Sequence, residues 1–459
     1  MADKVNPASS PSRYEKQEGT PKDLKRADSI DYQQCMAIAE TLKKERELKL
    51  SCFSDEQIIK VKEIECKLIQ IKEQYRRYIA DPSFSENRSE VRRLHGELLK
   101  ILQAREVNFL KSDIPRGEPS YDYPSEESFR IYEEQVLNTV YNRLLYKNEI
   151  HANIKANRLL LLQELGVPIE APFRVQFLSG ETHNGGKKTV IIQYKVEEEI
   201  RRFMYKPRDA SVDKAVIESF HKINHLPKEQ KSSSVLLPEY RIVNLPGGQA
   251  SVWDYIPGKN LGREAKPPEY AGNVVGSLGD EQLSKKLVRL DDVLGSMNIS
   301  DIHGENVIMK EVDKTIIDIV PVDLENVYVS SKKVSTKLHA AQIRAELEAQ
   351  KRWEPLTEEE QNVTAEFREE SKNLLVRYIP AGTTTLAGLV TSIEQADEFV
   401  AFMMRAFQED DIELTSEFKE LKECFIVDML QEDVPFFTER GGVIYYGMPE
   451  RGVPIGKRR

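Results

Sequence analysis

The stretch Asn298-Ile299-Ser300-Asp301-Ile302-His303-Gly304-Glu305-Asn306-Val307-Ile308-Met309 constrains this chain most. A helical pattern over 281–297 runs into it, and an apolar run over 307–309 leaves it. A turn over 310–314 and a second apolar run over 315–322 follow, ending in Asp323-Leu324-Glu325. The patterns predict a helix, a polar loop, a β-hairpin and an acidic strand end, in that order. Asp, His and Asn at D-x-H-x-x-N spacing, with a further Asp at a strand end, suit phosphoryl transfer from Mg²⁺-bound ATP. One carboxylate can accept the proton of the attacking hydroxyl, while an amide oxygen and a second carboxylate hold the metal.

Such a loop needs a scaffold, and 459 residues leave room for two or three domains with sizeable cores. Apolar residues make up 40% and both signs of charge run throughout, which predicts a folded soluble protein. The formal net charge of −10 argues against a nucleic-acid partner. The four cysteines, Cys35, Cys52, Cys66 and Cys424, form no CxxC, and with seven histidines no zinc-type cluster is expected. Free thiols in a reducing, cytoplasmic compartment are the expectation, with secretion by a signal-independent route left open. No signal peptide and no long apolar run is read, so no membrane span is expected.

Residues 1–28 are polar and charged and are expected to stay disordered, and a short helix is predicted over 32–48. Ser54, with Gln57 three residues on, is an N-cap. Val61, Ile64, Leu68, Ile71, Tyr75 and Tyr78 then place one apolar stripe on a helix that Asp81-Pro82 ends. Val91, Leu94, Leu98 and Ile101 repeat that spacing, which predicts an antiparallel helical hairpin. A third helix is predicted from Ser125-Glu126-Glu127 to Leu165, where Gly166 and Pro168 stop it, with residues 159–162 buried.

From Phe173 the pattern turns to strands. Runs at 173–178 and 189–194 flank a glycine-rich segment that ends in Lys187-Lys188. It fits either a hairpin tip or an anion-binding loop to which the lysines add charge. A strand at 203–205 delivers Lys206-Pro207-Arg208, either a surface basic pair or a phosphate-pairing amine. A helix over 212–224 and a strand–turn–strand over 239–256 follow, whose Trp253 and Tyr255 fit either an adenine pocket or ordinary core. After Glu325, helices are predicted near 336–351, 357–375, 393–407 and 416–430, with 376–385 a loop and 456–459 a basic tail.

Taken in order, these blocks resemble the dehydratase domain of class II lanthipeptide synthetases. That family carries Gly-Asp-x-His-x-x-Gly, Tyr-Lys-Pro-Arg, Asp-x-His-x-x-Asn, Asp-x-Glu, an Arg with a Thr six residues later, and Asp-(Ile/Val)-Pro-(Tyr/Phe)-Phe. The first three correspond to Gly180-Glu181-Thr182-His183-Asn184-Gly185-Gly186, Tyr205-Lys206-Pro207-Arg208 and Asp301-Ile302-His303-Gly304-Glu305-Asn306. The others correspond to Asp323-Leu324-Glu325, Arg377 with Thr383, and Asp433-Val434-Pro435-Phe436-Phe437. The resemblance implies an α+β fold: a two-lobed core similar to phosphoinositide-type lipid kinases, with an antiparallel sheet, embellished by helical regions at both ends. It implies a cycle in which ATP phosphorylates a Ser or Thr of a peptide and the same pocket then eliminates the phosphate. ATP and Mg²⁺ would be the cofactors, and a separate cyclase a further partner. Lys206 and Arg208 would pair the ATP phosphates. Asp301 would take the hydroxyl proton, with His303 beside it. Asn306 and Asp323 would hold Mg²⁺, with Glu325 in support. His183 and Glu181 would serve the elimination, and Arg377 and Thr383 would grip the departing phosphate.

The implied organisation is a disordered segment at 1–28, a helical lobe at 29–167, a kinase-like dehydratase core at 168–332, and a C-terminal helical region at 333–459 completing the phosphate site. Glu181 stands where the family usually has Asp, and Ala381 where a second arginine is usual. Both departures bear on elimination more than on phosphorylation. The zinc-binding cyclase domain of the family is not found in the chain, so thioether ring closure is not expected. The alternatives are a kinase acting on a protein or lipid without elimination, and a non-catalytic kinase-like binding module.

Overall fold

A computed structural model describes residues 50–81, 85–104, 126–178, 182, 186–261, 281–299, 302, 306–313, 315–327, 341–350, 353–378, 393–420, 435, 437–447 and 452–458. The segments expected to be disordered at 1–28 and helical at 32–48 lie outside the described residues. Helix α1 (Asp55–Ala80) begins with a reciprocal cap: Gln57 N–H donates to Ser54 Oγ, and Ser54 N–H donates to Gln57 Oε1 at 3.0 Å. Its buried residues are the predicted stripe, Val61, Ile64, Leu68, Ile71, Tyr75 and Tyr78. Helix α2 (Ser85–Leu102) packs on that stripe through Val91, Leu94, Leu98 and Leu102, while Ile101 is only partly buried. Both cover the first half of α3 (Glu126–Ala156), where Phe129, Tyr132, Val136 and Val140 close the core.

The helix predicted to reach Leu165 is broken. Asn157 leaves helical geometry (φ −109°, ψ 20°), and α4 (Arg158–Leu165) starts afresh before Gly166 ends it in the left-handed region (φ +69°). Residues 159–162 were expected to be buried together. Leu161 is, but Leu159 and Leu162 are exposed, because so short a helix buries only one face.

The helical core also holds a titratable group. His95 on α2 is buried with its ring 5.2 Å from that of Tyr132, and burial pushes its imidazole down to about 4. The unfolded chain protonates this histidine near 6.5, so between pH 6.5 and 4 the unfolded state binds the proton that the folded state refuses. The stability that neutral His95 leaves intact at pH 7 is therefore lost as pH falls through that window, by roughly 3 kcal/mol. His95→Leu is expected to flatten this part of the pH profile, as read by urea unfolding at pH 7 and pH 4.5.

Strands β1 (Phe173–Phe177), β2 (Val190–Val196), β3 (Glu199–Lys206), β4 (Ile242–Asn244) and β5 (Ser251–Asp254) form an antiparallel sheet in the order β1-β2-β3-β5-β4. β3 starts earlier than predicted because its first four residues are exposed and carry no apolar alternation. Helix α5 (Ser211–His225) joins β3 to β4. One face of the sheet, with Ile192, Tyr194, Phe203, Tyr205 and Val252, packs on the end of α3 and on α4. The other, with Met204, Ile242 and Trp253, packs on α5 and on α6 (Glu281–Ser296). Strand alternation puts Lys206 on this second face, two residues beyond Met204.

The chain then crosses to a three-stranded sheet, β6 (Gly258–Asn260), β7 (Val307–Val312) and β8 (Thr315–Pro321), in that order. A side chain at Gly258 would collide with the Met309 carbonyl oxygen, so the crossing demands glycine. The C-terminal part departs most from expectation. Besides α7 (Ala341–Ala349), α8 (Glu358–Ser371), α9 (Ile393–Glu409) and α10 (Ser416–Glu420), it contains five strands. These are β9 (Val376–Tyr378), β10 (Ile412–Leu414), β11 (Phe437–Arg440), β12 (Val443–Tyr446) and β13 (Val453–Arg458), in the sheet order β10-β13-β12-β11-β9. The expected loop at 376 is thus a strand. So is the expected basic tail, whose Arg458 is held by the buried Glu439 carboxylate at 2.7 Å. The fold class is α+β with antiparallel sheets. Among the described residues no helix is long and apolar enough to cross a membrane.

Candidate functional site

β3 ends at Lys206 because Pro207 offers no N–H to continue the ladder. Lys206 and Arg208 therefore leave the sheet together beside the first turn of α5. There Asp213, fully buried, takes the Arg208 guanidinium in a fork: Nη1 to Oδ2 at 2.6 Å and Nη2 to Oδ1 at 3.3 Å. Asp213 Oδ1 also accepts the Leu324 N–H at 2.7 Å, which ties the strand end after β8 to α5.

That tie fixes the two acids on either side of Leu324. Asp323 sits in the left-handed backbone region (φ +59°), where a short polar side chain is tolerated and strain often marks function. It forms an ion pair with Lys206, and its Oδ1 accepts Arg208 Nη2 at 3.2 Å. Glu325 Oε2 lies 2.9 Å from Arg208 Nε, and its Oε1 accepts Arg377 Nη1 at 3.1 Å. The Arg377 N–H donates to the Glu325 carbonyl at 3.1 Å, docking β9 on the same segment. The Val322 N–H donates to the Asn306 carbonyl at 2.8 Å, which holds the end of the Asp-x-His-x-x-Asn loop against the strand exit.

Three cations, Lys206, Arg208 and Arg377, thus meet three carboxylates, Asp213, Asp323 and Glu325. The cluster is graded. Asp213 is inaccessible, whereas the Asp323 side chain is 41% exposed. Partial burial works to raise the Asp323 carboxyl, but the Lys206 ammonium and the Arg208 guanidinium overcome it and hold it well below the usual carboxylate range. Burial likewise opposes the charge on Arg208, and Asp213 and Glu325 outweigh it, so the guanidinium stays charged. Asp323 is therefore an ionised carboxylate partly open to solvent, beside the buried Lys206 amine.

An aromatic stack underlies the cluster. Lys206 Nζ lies 3.9 Å from the Trp253 ring centroid, and Tyr240 stacks on Trp253 at 5.9 Å. Trp253 Nε1 donates to Ser251 Oγ at 2.8 Å, and the Tyr240 hydroxyl donates to the Pro321 carbonyl at 3.0 Å. Tyr240 also lines a cleft of about 480 Å³ beside the crossing from β5 to β6, with Arg202, Tyr255, Lys310, Asp318 and Val320. The volume suits a small organic ligand. Tyr255 belongs to this cleft, while Trp253 is buried beneath Lys206.

Of the residues singled out in the sequence, the structure brings together Lys206, Arg208, Asp323, Glu325 and Arg377, with the Asn306 backbone adjoining. Glu181, His183, Asp301, His303 and Thr383 lie outside the described residues. Strands β1 and β2 pair as the hairpin that the sequence allowed, and residues 179–181 and 183–185 of its connection lie outside the described residues. Lys187 is taken by Glu149 at 2.7 Å, and Lys188 is buried, its carbonyl accepting the Tyr146 hydroxyl. Sequence reasoning missed Asp213, although an acid in the first turn of the helix after a basic pair is a legible signal. It also expected no zinc-type cluster, yet His221, His225 and Glu239 place ligand atoms within 4.8 Å of one another. The His-x-x-x-His spacing on a predicted helix was the available sign. No family model and no curated protein matches the chain.

Proposed function

We propose that this chain is an ATP-dependent phosphotransferase that phosphorylates Ser or Thr hydroxyls of a peptide and then eliminates the phosphate to leave a dehydroamino acid. The observation that carries it is the convergence of Lys206, Arg208, Asp323, Glu325 and Arg377, from three separate segments, on one partly open cluster. In kinases a lysine on the third strand pairs the nucleotide phosphates, and an Asp and an Asn hold Mg²⁺. Here a lysine closes β3, Asn306 precedes β7, and Asp323 follows β8. Carboxylate and amide oxygens suit a hard cation, and Mg²⁺, when bound, would neutralise charge on the phosphates. The cleft beside Tyr240 and Tyr255 is the place for the base, with the phosphates turned toward Lys206.

In the first step the substrate hydroxyl oxygen bonds to the γ-phosphorus as the bond to ADP breaks, and the hydroxyl proton passes to Asp301. Lys206, released from Asp323 by the incoming phosphates, carries the charge of the leaving oxygens. In the second step a base near His183 removes the α-proton, the bond from Cβ to oxygen breaks, and phosphate departs against Arg377 and Thr383. Mass spectrometry of a Ser/Thr-rich peptide incubated with the chain and Mg–ATP is expected to show loss of one water per modified site. A stable phosphopeptide would instead support the kinase-only reading. That alternative is motivated by Glu181 and Ala381, which stand where the family usually has an Asp and a second Arg. Absence of both products, and of label transfer to any acceptor, would overturn both.

A further inference from the structure

We infer that His221, His225 and Glu239 form a binding site for a borderline divalent cation of the Zn²⁺ class, which fastens the segment before β4 to the C-terminal end of α5. The two histidines are four residues apart on α5 and so share one face, with ring centroids 4.0 Å apart. Glu239 comes from the connection to β4, and its Oε2 lies 2.9 Å from His221 Nδ1. The ligand atoms of all three fall within 4.8 Å. Bonds of 2.0–2.1 Å in a tetrahedral site separate ligand atoms by about 3.3 Å, so rotation of exposed side chains closes the gap.

The neighbours of these residues already fix what a ligand set needs. His225 Nδ1 lies 2.8 Å from the His221 carbonyl, which can only accept, so Nδ1 carries the proton and Nε2 keeps its lone pair. Glu239 Oε1 accepts Asn224 Nδ2 at 2.8 Å, which orients the carboxylate and leaves Oε2 toward the imidazoles. Asn224 also donates to the Leu237 carbonyl and accepts the Leu237 N–H, both at 2.9 Å, so the loop is held in register with the helix before any metal arrives. Two imidazoles and a carboxylate are the donor set that favours Zn²⁺ over the hard cation proposed for Asp323. Glu239 adjoins Tyr240, the residue that lines the cleft and stacks on Trp253. A metal here would therefore clamp one wall of the cleft without entering the phosphate cluster.

The test is titration of the untagged full chain with Zn²⁺ against a chromophoric chelator, in a background with all four cysteines, Cys35, Cys52, Cys66 and Cys424, changed to Ser, because thiols could compete. One equivalent is expected to bind, to raise the melting temperature, and to be lost in His221→Ala/His225→Ala. Glu239→Gln is expected to weaken binding at least tenfold, and Asn224→Ala by a similar factor through loss of orientation. Both imidazoles are exposed, so the variant should keep its far-UV circular dichroism. Absorption of the Co²⁺ form should indicate nitrogen and oxygen ligands. An unchanged equivalent in the double-histidine variant, or no saturable binding by the parent, would overturn the site.

Discussion

Asp323→Asn is expected to lower phosphoryl transfer from ATP by a factor on the order of 10²–10³, the loss typical when one preorganised electrostatic partner of a reacting centre is removed. The substitution keeps the shape of the side chain and deletes only its charge. The fold should tolerate it, because Arg208 retains Asp213 and Glu325, and because the side chain is 41% exposed. Two measurements separate the role proposed for Asp323 from a structural one. Nucleotide binding without metal should hold or tighten, since a carboxylate that repels phosphate is gone and Lys206 is freed from its ion pair. Dependence of turnover on Mg²⁺ concentration should shift to higher metal or vanish, as read by label transfer from radioactive ATP. Lys206→Met should behave in the opposite sense, weakening nucleotide binding while leaving the metal dependence in place. Wild-type turnover in Asp323→Asn would remove the metal-holding role and the reading built on it.

The sequence made the site's chemistry legible more readily than its surroundings, for a physical reason. Lys206, Arg208, Asp323 and Glu325 stand at strand ends, and strand ends are marked locally by a proline or by the close of an apolar run. The stripe of α1 was equally plain, since six residues at helical spacing admit one buried face. Short strands are different. β9 is three residues long, and β13 contains both a proline and a glycine, so neither carries a period that can be read. Their identity comes from partners distant in the chain: Arg377 opposite Thr438 and Lys457 opposite Glu413. The His221, His225 and Glu239 cluster was hidden likewise, because one of its three members arrives from a loop that the helix pattern does not specify.

Arg289→Met should destabilise the fold by about 3–5 kcal/mol, because it strands a carboxylate with no route to water. Arg289 on α6 and Glu360 on α8 are both buried, and Nη2 donates to Oε1 at 2.7 Å. Arg289 Nη1 also donates to Ser232 Oγ at 2.8 Å. Glu360 Oε2 accepts the Thr357 N–H at 3.0 Å in the capping box of α8, so one carboxylate closes a helix start and joins two helices. Burial tends to raise the Glu360 carboxyl, yet the bonds from Arg289 and Ser232 override it and hold it below its ordinary value. The wild-type pair thus stabilises at neutral pH and loses that contribution as pH falls through the lowered folded value. Without Arg289 the balance reverses. Burial then raises Glu360 above its unfolded value, so the variant is weakest at neutral pH and its deficit shrinks on acidification. The expected drop in melting temperature at pH 7 is on the order of 10 °C. Glu360→Gln added to Arg289→Met should recover part of it, since a glutamine at that position keeps the capping bond without the charge. A deficit that is the same at pH 7 and pH 4.5, with no recovery in the double variant, would mean that lost packing rather than a stranded charge sets the cost.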